Sequence, residues 1–267
     1  PSQFDVYLIN EWVKQNCIEF NVSKTKAMIV GSARYVNDID VSSISKITID
    51  QASIPYVDSA KCLGVTITST LSWNNHVGDI SNKISKTLCQ LKYNRNILPI
   101  SLRKQLITTL IFPHLDYCSL VYNDLTAELN IKLQRSINSC VRFILNVRRD
   151  EHITPHFIFL NWLNVKYRRK YLLGRFLFML LKNKRPEYLF NLFIRKAQLD
   201  LKNTRTANFK FYISPYRTVT YKNSFLVQSS LFWNSLPLTL IHKSTIASFK
   251  NALYDFLMRS FIEDASH

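Results

Sequence analysis

Glycine is scarce: four occur in 267 residues, Gly31, Gly64, Gly78 and Gly174. None belongs to a GxGxxG or GxxxxGK-S/T pattern. Cradling a phosphate with backbone N–H groups needs several close glycines, so a nucleotide-binding loop of that kind is excluded. Cysteines are few and scattered. Cys17, Cys62, Cys89, Cys118 and Cys140 are odd in number and none has CxxC spacing, which reads as reduced thiols of an intracellular protein. Long hydrophobic runs are missing too. The greasiest stretch, Tyr171 to Leu181, is interrupted by Arg175 and falls short of the roughly 20 residues that a membrane span requires. The start, Pro1-Ser2-Gln3-Phe4, has no initiator Met and no basic region leading into an apolar one. No signal peptide is expected there, and the chain reads as a piece of a longer polypeptide.

What is present is a globular composition, with 47% hydrophobic and 20% charged residues. The formal charge of +17 is unevenly placed. Residues 1–91 hold 8 Lys/Arg against 8 Asp/Glu, whereas residues 92–217 hold 23 against 7, and residues 218–267 hold 4 against 3. A basic middle between near-neutral flanks points to a localised polyanion surface. The plain alternative is a solvated basic face with no partner.

Hydrophobic periodicity divides the chain. Ser2 with Asp5 resembles a capping box, and Phe4, Leu8, Trp12 and Val13 recur at helical spacing, so a helix is expected over about residues 3–18. Short β-branched runs follow at Lys26–Val30, Lys46–Asp50 and Cys62–Thr68, read as one small antiparallel sheet on which that helix packs. From Trp73 the pattern turns helical. Val77, Ile80, Ile84, Leu88 and Leu91 form one stripe. A second helix follows Ser101, with Leu102, Leu106 and Leu110 inward, and stops before Pro113. A third starts near Thr126 with Leu129, Leu133, Ile137 and Ile144 on one face, a fourth spans Tyr167 to Lys182, and a last one spans Ile246 to Phe261. Residues 197–223 alternate polar and aromatic and read as loops and short strands. The expected class is α+β: a small antiparallel sheet with a packed helix, then a mostly helical region.

The third helix carries the best functional signal. At 100° per residue, Arg135, Asn138, Arg142 and Arg149 fall opposite Leu133, provided the helix continues that far. Guanidinium forks suit phosphate oxygens. Lys166, Arg168, Arg169 and Lys170 extend the charge at the start of the fourth helix, and such helices grip a nucleic-acid backbone without reading sequence. Aromatics beside cations, as in Phe209-Lys210-Phe211-Tyr212, suit base stacking or simply a core. His152 and His156 have a zinc-like spacing, but Pro155 lies between them and no third ligand is evident, so no metal is expected on the chain.

Several motifs, in order, resemble the reverse transcriptases of LINE-type (non-LTR, jockey-like) retrotransposons. Asn21-Val22-Ser23-Lys24-Thr25-Lys26-Ala27-Met28 resembles the N-x-x-K-T-x-x-M segment. Lys61-Cys62-Leu63-Gly64-Val65, then Leu71-Ser72-Trp73 and His76, is similar to the stretch that follows it. Pro113-His114-Leu115-Asp116-Tyr117-Cys118, Leu133-Gln134-Arg135 with Asn138, and the run from His152 to Leu163 fit in order, as do Arg217-Thr218, Ser224-Phe225, Trp233-Asn234-Ser235-Leu236-Pro237 and Phe249-Lys250.

The resemblance implies a layout. Residues 1–72 would be the last part of the palm, 73–185 a helical thumb-like region, and 186–267 a C-terminal region of loops and helix. Lys24 would stand where a lysine is proposed to protonate the leaving pyrophosphate. Lys61, Leu63, Gly64 and Val65 would form the primer grip. Phosphoryl transfer in this family needs carboxylates holding two Mg²⁺ ions, and no Asp-Asp pair exists here; Asp38 and Asp40 are separated by Ile39. The chain alone is therefore expected to be inactive and to bind no cofactor, Mg²⁺ belonging to the intact polymerase. RNA template, DNA primer and the upstream part of the same polyprotein would be its partners, with no membrane. The resemblance places it in cytoplasmic ribonucleoprotein and the nucleus. A non-catalytic RNA- or DNA-binding module and a scaffold for acidic proteins are the alternatives.

Overall fold

The computed structural model describes residues 3–199 and 209–266. The chain is mixed α+β, mostly helical, with two small antiparallel sheets. It divides into two compact units, Pro1–Asp79 and Ile80–His267. The segment boundary expected after residue 185 falls inside the second unit.

In the first unit, α1 (Gln3–Gln15) forms where the spacing predicts a helix, but it buries a different face. Phe4, Leu8 and Trp12 are exposed, while Asn10 and Val13 are buried. Polar anchors fix this rotation. Gln3 exchanges two hydrogen bonds with the Thr48 backbone, and Asp50 accepts from Asn10 (3.0 Å) and Lys14 (2.9 Å). Positions 3, 10 and 14 lie on one side of a 3.6-residue helix, and they outvote the apolar stripe. Lys14 and Asn10 together hold the Asp50 carboxyl below the usual carboxylate range. Ser2, half of the expected capping box, lies outside the described residues.

After a short α2 (Ala33–Asp38), the single sheet expected from sequence is replaced by two separate hairpins. β1 (Thr48–Ile49) pairs with β2 (Ala52–Ser53), and β3 (Ser59–Cys62) with β4 (Val65–Thr68). Each is closed by a two-residue turn with positive φ at both positions, Asp50-Gln51 and Leu63-Gly64. Such turns match the twist of the strands and pair them locally. Lys26–Val30, expected as a third strand, makes only one parallel bridge, Ala27 to Tyr56.

α3 (Asn74–Tyr93) begins in the first unit and buries Val77, Ile80, Ile84 and Leu88 as the stripe predicts. The next helix departs from expectation. α4 (Ile100–Leu106) runs through a π-helical turn, Ile107–Ile111, into α5 (Phe112–Asp116) without stopping before Pro113. Pro113 is tolerated because the π turn just before it already breaks the regular i→i−4 ladder. The wider π turn rotates the buried face onto Ile107, Ile111, Phe112 and Leu115, leaving Leu102 and Leu110 exposed.

α6 (Ala127–Leu145) is capped by Thr126, whose hydroxyl accepts from Leu129 N (3.3 Å), and buries Leu129, Leu133, Ile137 and Ile144. The short α7 (Thr154–Phe159) leads to α8 (Val165–Asn183), which packs along the terminal α13 (Ile246–Ser266). Leu173 and Leu177 on α8 and Phe249, Leu253 and Leu257 on α13 are all buried, each side chain contributing about 1.5–3 kcal/mol. Phe178 stacks on Phe249 at 4.3 Å. Gly174 allows this close approach, since a Cβ there would lie 2.5 Å from Leu253 Cδ2.

Short helices α9 (Glu187–Phe190), α10 (Val219–Lys222) and α12 (Leu238–Ile241) flank α11 (Phe225–Ser235), which the sequence reading did not anticipate. Its buried side includes Ser229 and Ser230, which blur the hydrophobic period. Phe211 is fully buried and serves the core, not base stacking. Its N–H donates to Asn234 Oδ1 (2.8 Å), and Asn234 Nδ2 donates back to the Phe211 carbonyl (2.9 Å). Residues 200–208 of the stretch expected as loops and strands lie outside the described residues.

Candidate nucleic-acid interface

The structure sorts the basic residues of the second unit into three groups. The first is structural. Arg168 grips Asp116 with both arms of its guanidinium (2.6 and 2.5 Å) and lies over the Phe112 ring at 3.9 Å. Arg169 is buried and donates to the carbonyls of Ser119 and Tyr122 and to Asn130 Oδ1. Together they tie α8 to the end of α5 and the loop after it. Neither guanidinium is presented to a phosphate backbone, so these two candidates stand apart from the exposed cations. Arg103, not singled out from sequence, belongs here as well. It donates to the carbonyls of Arg95, Leu98, Phe143 and Ile144, joining the 3-10 turn Arg95–Ile97 to the end of α6.

The second group lines a concave basic cleft of about 320 Å³. α6 ends at Leu145, where Asn146 takes a left-handed conformation (φ 61°) and turns the chain back. Arg149 therefore lies beyond the helix, and its expected place on the helical face is corrected. The reversal nevertheless brings it beside Arg142. Arg142 donates to the carbonyls of Arg148 (3.1 Å), Arg149 (3.3 Å) and Glu151 (3.1 Å), holding the returning loop in place. Lys92 at the end of α3, Arg95, Arg148 and Arg149 complete the rim, and no carboxylate lines it. Arg148 pairs with Asp150 at 3.5 Å outside the lining. Lys92, Arg95 and Arg149 make no side-chain hydrogen bond or ion pair among the described residues. Tyr93, in chain between Lys92 and Arg95, is 85% exposed. Lys92, Arg95 and Arg148 were missed because no periodic pattern links α3 to a loop some fifty residues on.

Arg135, exposed on α6, lies outside this lining. Lys166 and Lys170 form a third group, around a separate cavity at the start of α8. Lys166 pairs with Asp264 at 3.0 Å, and Tyr167 OH donates to the same carboxylate (2.5 Å). Tyr167 and Lys166 hold Asp264 below the usual carboxylate range. Burial, with Lys166 beside it, lowers the Lys170 ammonium from the ordinary lysine value.

In the first unit, Lys61, Leu63, Gly64 and Val65 all fall on the β3–β4 hairpin. Lys61 is an exposed strand residue, Val65 is buried, and Leu63-Gly64 is the turn itself (φ 45° and 84°). Leu63 is 85% exposed in a conformation that costs a branched side chain roughly 1–2 kcal/mol. The hairpin is bolted to α3: Thr66 N donates to His76 Nδ1 (3.3 Å), and Thr66 Oγ1 to Asp79 (3.1 Å). Lys24 is exposed at the end of the 3-10 turn Val22–Lys24, whose N–H is capped by Asn21 Oδ1 (3.2 Å). Asp40 accepts from Ser42 N and Oγ as a turn cap, and Asp38 is the last residue of α2. No helix among the described residues is long and apolar enough to cross a membrane. No family profile, no curated protein and no solved structure matches the chain.

Proposed function

We propose that this chain is a non-catalytic part of a non-LTR retrotransposon reverse transcriptase that grips primer and template. The basic cleft at the end of α6 is the observation that carries the gripping role. Lys92, Arg95 and Arg149 make no ion pair among the described residues, they come from the end of α3, the turn after it and the loop after α6, and an exposed tyrosine stands in chain between two of them. That combination suits a phosphate backbone with an adjacent base to stack. The polymerase assignment rests on the ordered motifs. Leu63, apolar and exposed on a strained turn, supports a primer-grip role for the β3–β4 hairpin. The exposed apolar face of α1, with Phe4, Leu8 and Trp12, suits packing against the upstream part of the same polyprotein. RNA template and DNA primer are the proposed partners, and cytoplasmic ribonucleoprotein and the nucleus the proposed sites of action. Chemistry would need the two Mg²⁺ ions and aspartates of the intact polymerase.

The test is binding of the whole chain to a labelled RNA–DNA primer–template, titrated with salt. Tight binding that prefers the hybrid over single strands is expected, with log K falling steeply against log salt. Replacing Lys92 and Arg149 together with alanine is expected to weaken binding and flatten the slope by roughly 0.7–0.9 unit for each lost phosphate contact. Unchanged affinity and slope in that variant would remove the cleft from the interface. Equal affinity for hybrid and single strands would favour the alternative, a free-standing RNA- or DNA-binding module.

A further inference from the structure

The basic cleft at the end of α6 has walls that are tied in place before any ligand arrives. Two of the arginines around it are spent on architecture. Arg103 joins the turn that carries Arg95 to the end of α6, donating to the carbonyls of Arg95 (2.9 Å), Phe143 (3.3 Å) and Ile144 (3.2 Å). Arg142 holds the returning loop through the carbonyls of Arg148, Arg149 and Glu151. Such preorganisation lowers the ordering cost of binding. The same bonds remove an obstacle, because the last carbonyls of a helix repel an anion. Those of Phe143 and Ile144 face Arg103, and that of Arg142 accepts from Asn146 N and from Val147 N at 3.2 Å.

Three lining cations, Lys92, Arg95 and Arg149, are left without a side-chain hydrogen bond or ion pair among the described residues. The acids of the loop do not neutralise them. Asp150 pairs with Arg148, while Glu151 accepts from Arg148 N (3.1 Å) and lies 3.7 Å from His156 Nε2. Neither carboxylate lines the cleft. Three like charges around about 320 Å³ repel one another until an anion enters. An internal phosphodiester offers one charge and two unesterified oxygens, and its strand must leave on both sides. A terminal phosphomonoester carries close to two charges at neutral pH and three free oxygens, and its strand leaves on one side only. That matches a small concavity ringed by three cations. Tyr93 agrees with it. Its side chain is 85% exposed, and it stands in chain between Lys92 and Arg95. An exposed ring stacks on an open base face, which a paired strand offers only at its end.

We propose that this cleft binds the phosphorylated end of a nucleic-acid strand, with the terminal phosphate among Lys92, Arg95 and Arg149 and the terminal base against Tyr93. The inference rests on the nucleic-acid grip proposed for the same cleft and adds the chemistry of what enters it. A 5′ and a 3′ terminal phosphate share that chemistry, and the experiment separates them.

The experiment measures binding of the whole chain, at fixed salt, to one RNA–DNA hybrid made with hydroxyl ends, with a 5′-phosphate and with a 3′-phosphate. A hydroxyl-ended hybrid two base pairs longer controls for added charge. One phosphorylated form is expected to bind roughly tenfold tighter than both hydroxyl-ended hybrids, and the form that gains identifies the end. The Arg95→Ala, Arg149→Ala variant is expected to bind phosphorylated and hydroxyl-ended hybrids equally. Tyr93→Ala is expected to weaken binding of the phosphorylated form by roughly fivefold or more, with an unchanged melting temperature because the ring is exposed. Lys250→Ala, on α13 and outside the cleft, is expected to keep the full ratio. Affinity that follows charge alone, with the longer hydroxyl-ended hybrid matching the phosphorylated ones, overturns the proposal. If the Lys92→Ala, Arg149→Ala variant still loses affinity in that case, the cleft grips internal phosphates and the gripping role stands. A tenfold ratio that survives Arg95→Ala, Arg149→Ala puts the end elsewhere and also overturns the proposal. No binding of any hybrid overturns both.

Discussion

Tyr122 has no exposed surface, and its hydroxyl donates to the Leu115 carbonyl at 2.9 Å. Burial pushes its pKa up to about 12, partly offset by Arg169 beside it and reinforced by Asp116 and Cys118. In the unfolded chain the same phenol ionises near 10. Between those values the folded state holds a proton that the unfolded state has released, so stability falls as pH rises from 10 towards 12. The slope approaches about 1.4 kcal/mol per pH unit for this one group. Tyr122→Phe loses the hydrogen bond and starts roughly 1 kcal/mol less stable at pH 9. Because it also lacks the ionisation, its deficit is expected to shrink by about 1 kcal/mol between pH 10 and 11. Urea unfolding of both proteins at pH 9, 10 and 11 measures this; a constant deficit would mean that Tyr122 ionises as a free tyrosine does. The same neighbourhood explains why a basic residue is a poor guide to a binding surface. Arg168 and Arg169 are adjacent in sequence, yet one closes an ion pair with Asp116 and the other cements the loop around Tyr122.

The β3–β4 hairpin offers a test at the scale of one element. Its two-residue turn requires positive φ at both positions, which Gly64 accepts and Leu63 resists. Asparagine is the preferred residue there, so Leu63→Asn is expected to stabilise the first unit by about 1 kcal/mol. If exposed Leu63 contacts the primer, the same change weakens primer–template binding. A stabler protein with intact binding would leave the hairpin as structure only, and thermal unfolding beside the salt titration reads both. Elements with strong periodicity were legible from sequence: α6, α8 and α13 form close to where their stripes predict, since most of their energy is burial on one face. Legibility failed where another interaction set the geometry. α1 is rotated by Gln3, Asn10 and Lys14, the π turn swings α4 onto Ile107 and Ile111, and buried serines hide α11. The cleft was half legible. Arg142 and Arg149 could be named as cations, but the left-handed Asn146 that brings them together, and Lys92 and Arg95 arriving from α3, leave no periodic trace.

Across the whole molecule, charge and compact units coincide. Residues 1–79 hold 6 Lys/Arg against 8 Asp/Glu, whereas residues 80–267 hold 29 against 10. Counterion release depends on the cations that meet phosphate, so the salt dependence of binding should reside almost wholly in the second unit. A chain beginning at Asn74 keeps α3 whole and retains every lining residue of the cleft. After its fold is checked by circular dichroism, its salt slope on primer–template is expected to match the full chain within about one unit. Its preference for hybrid over single strand is a separate quantity, because the hairpin with Lys61 and Leu63 is lost. Retained slope with lost preference would divide the labour between the units: the second supplies electrostatic grip, and the first discriminates the primer end. Loss of most of the slope would instead put phosphate contacts on the near-neutral first unit, through Lys24, Lys26 and Lys61. The charge partition along the chain would then be a matter of solubility and not of binding.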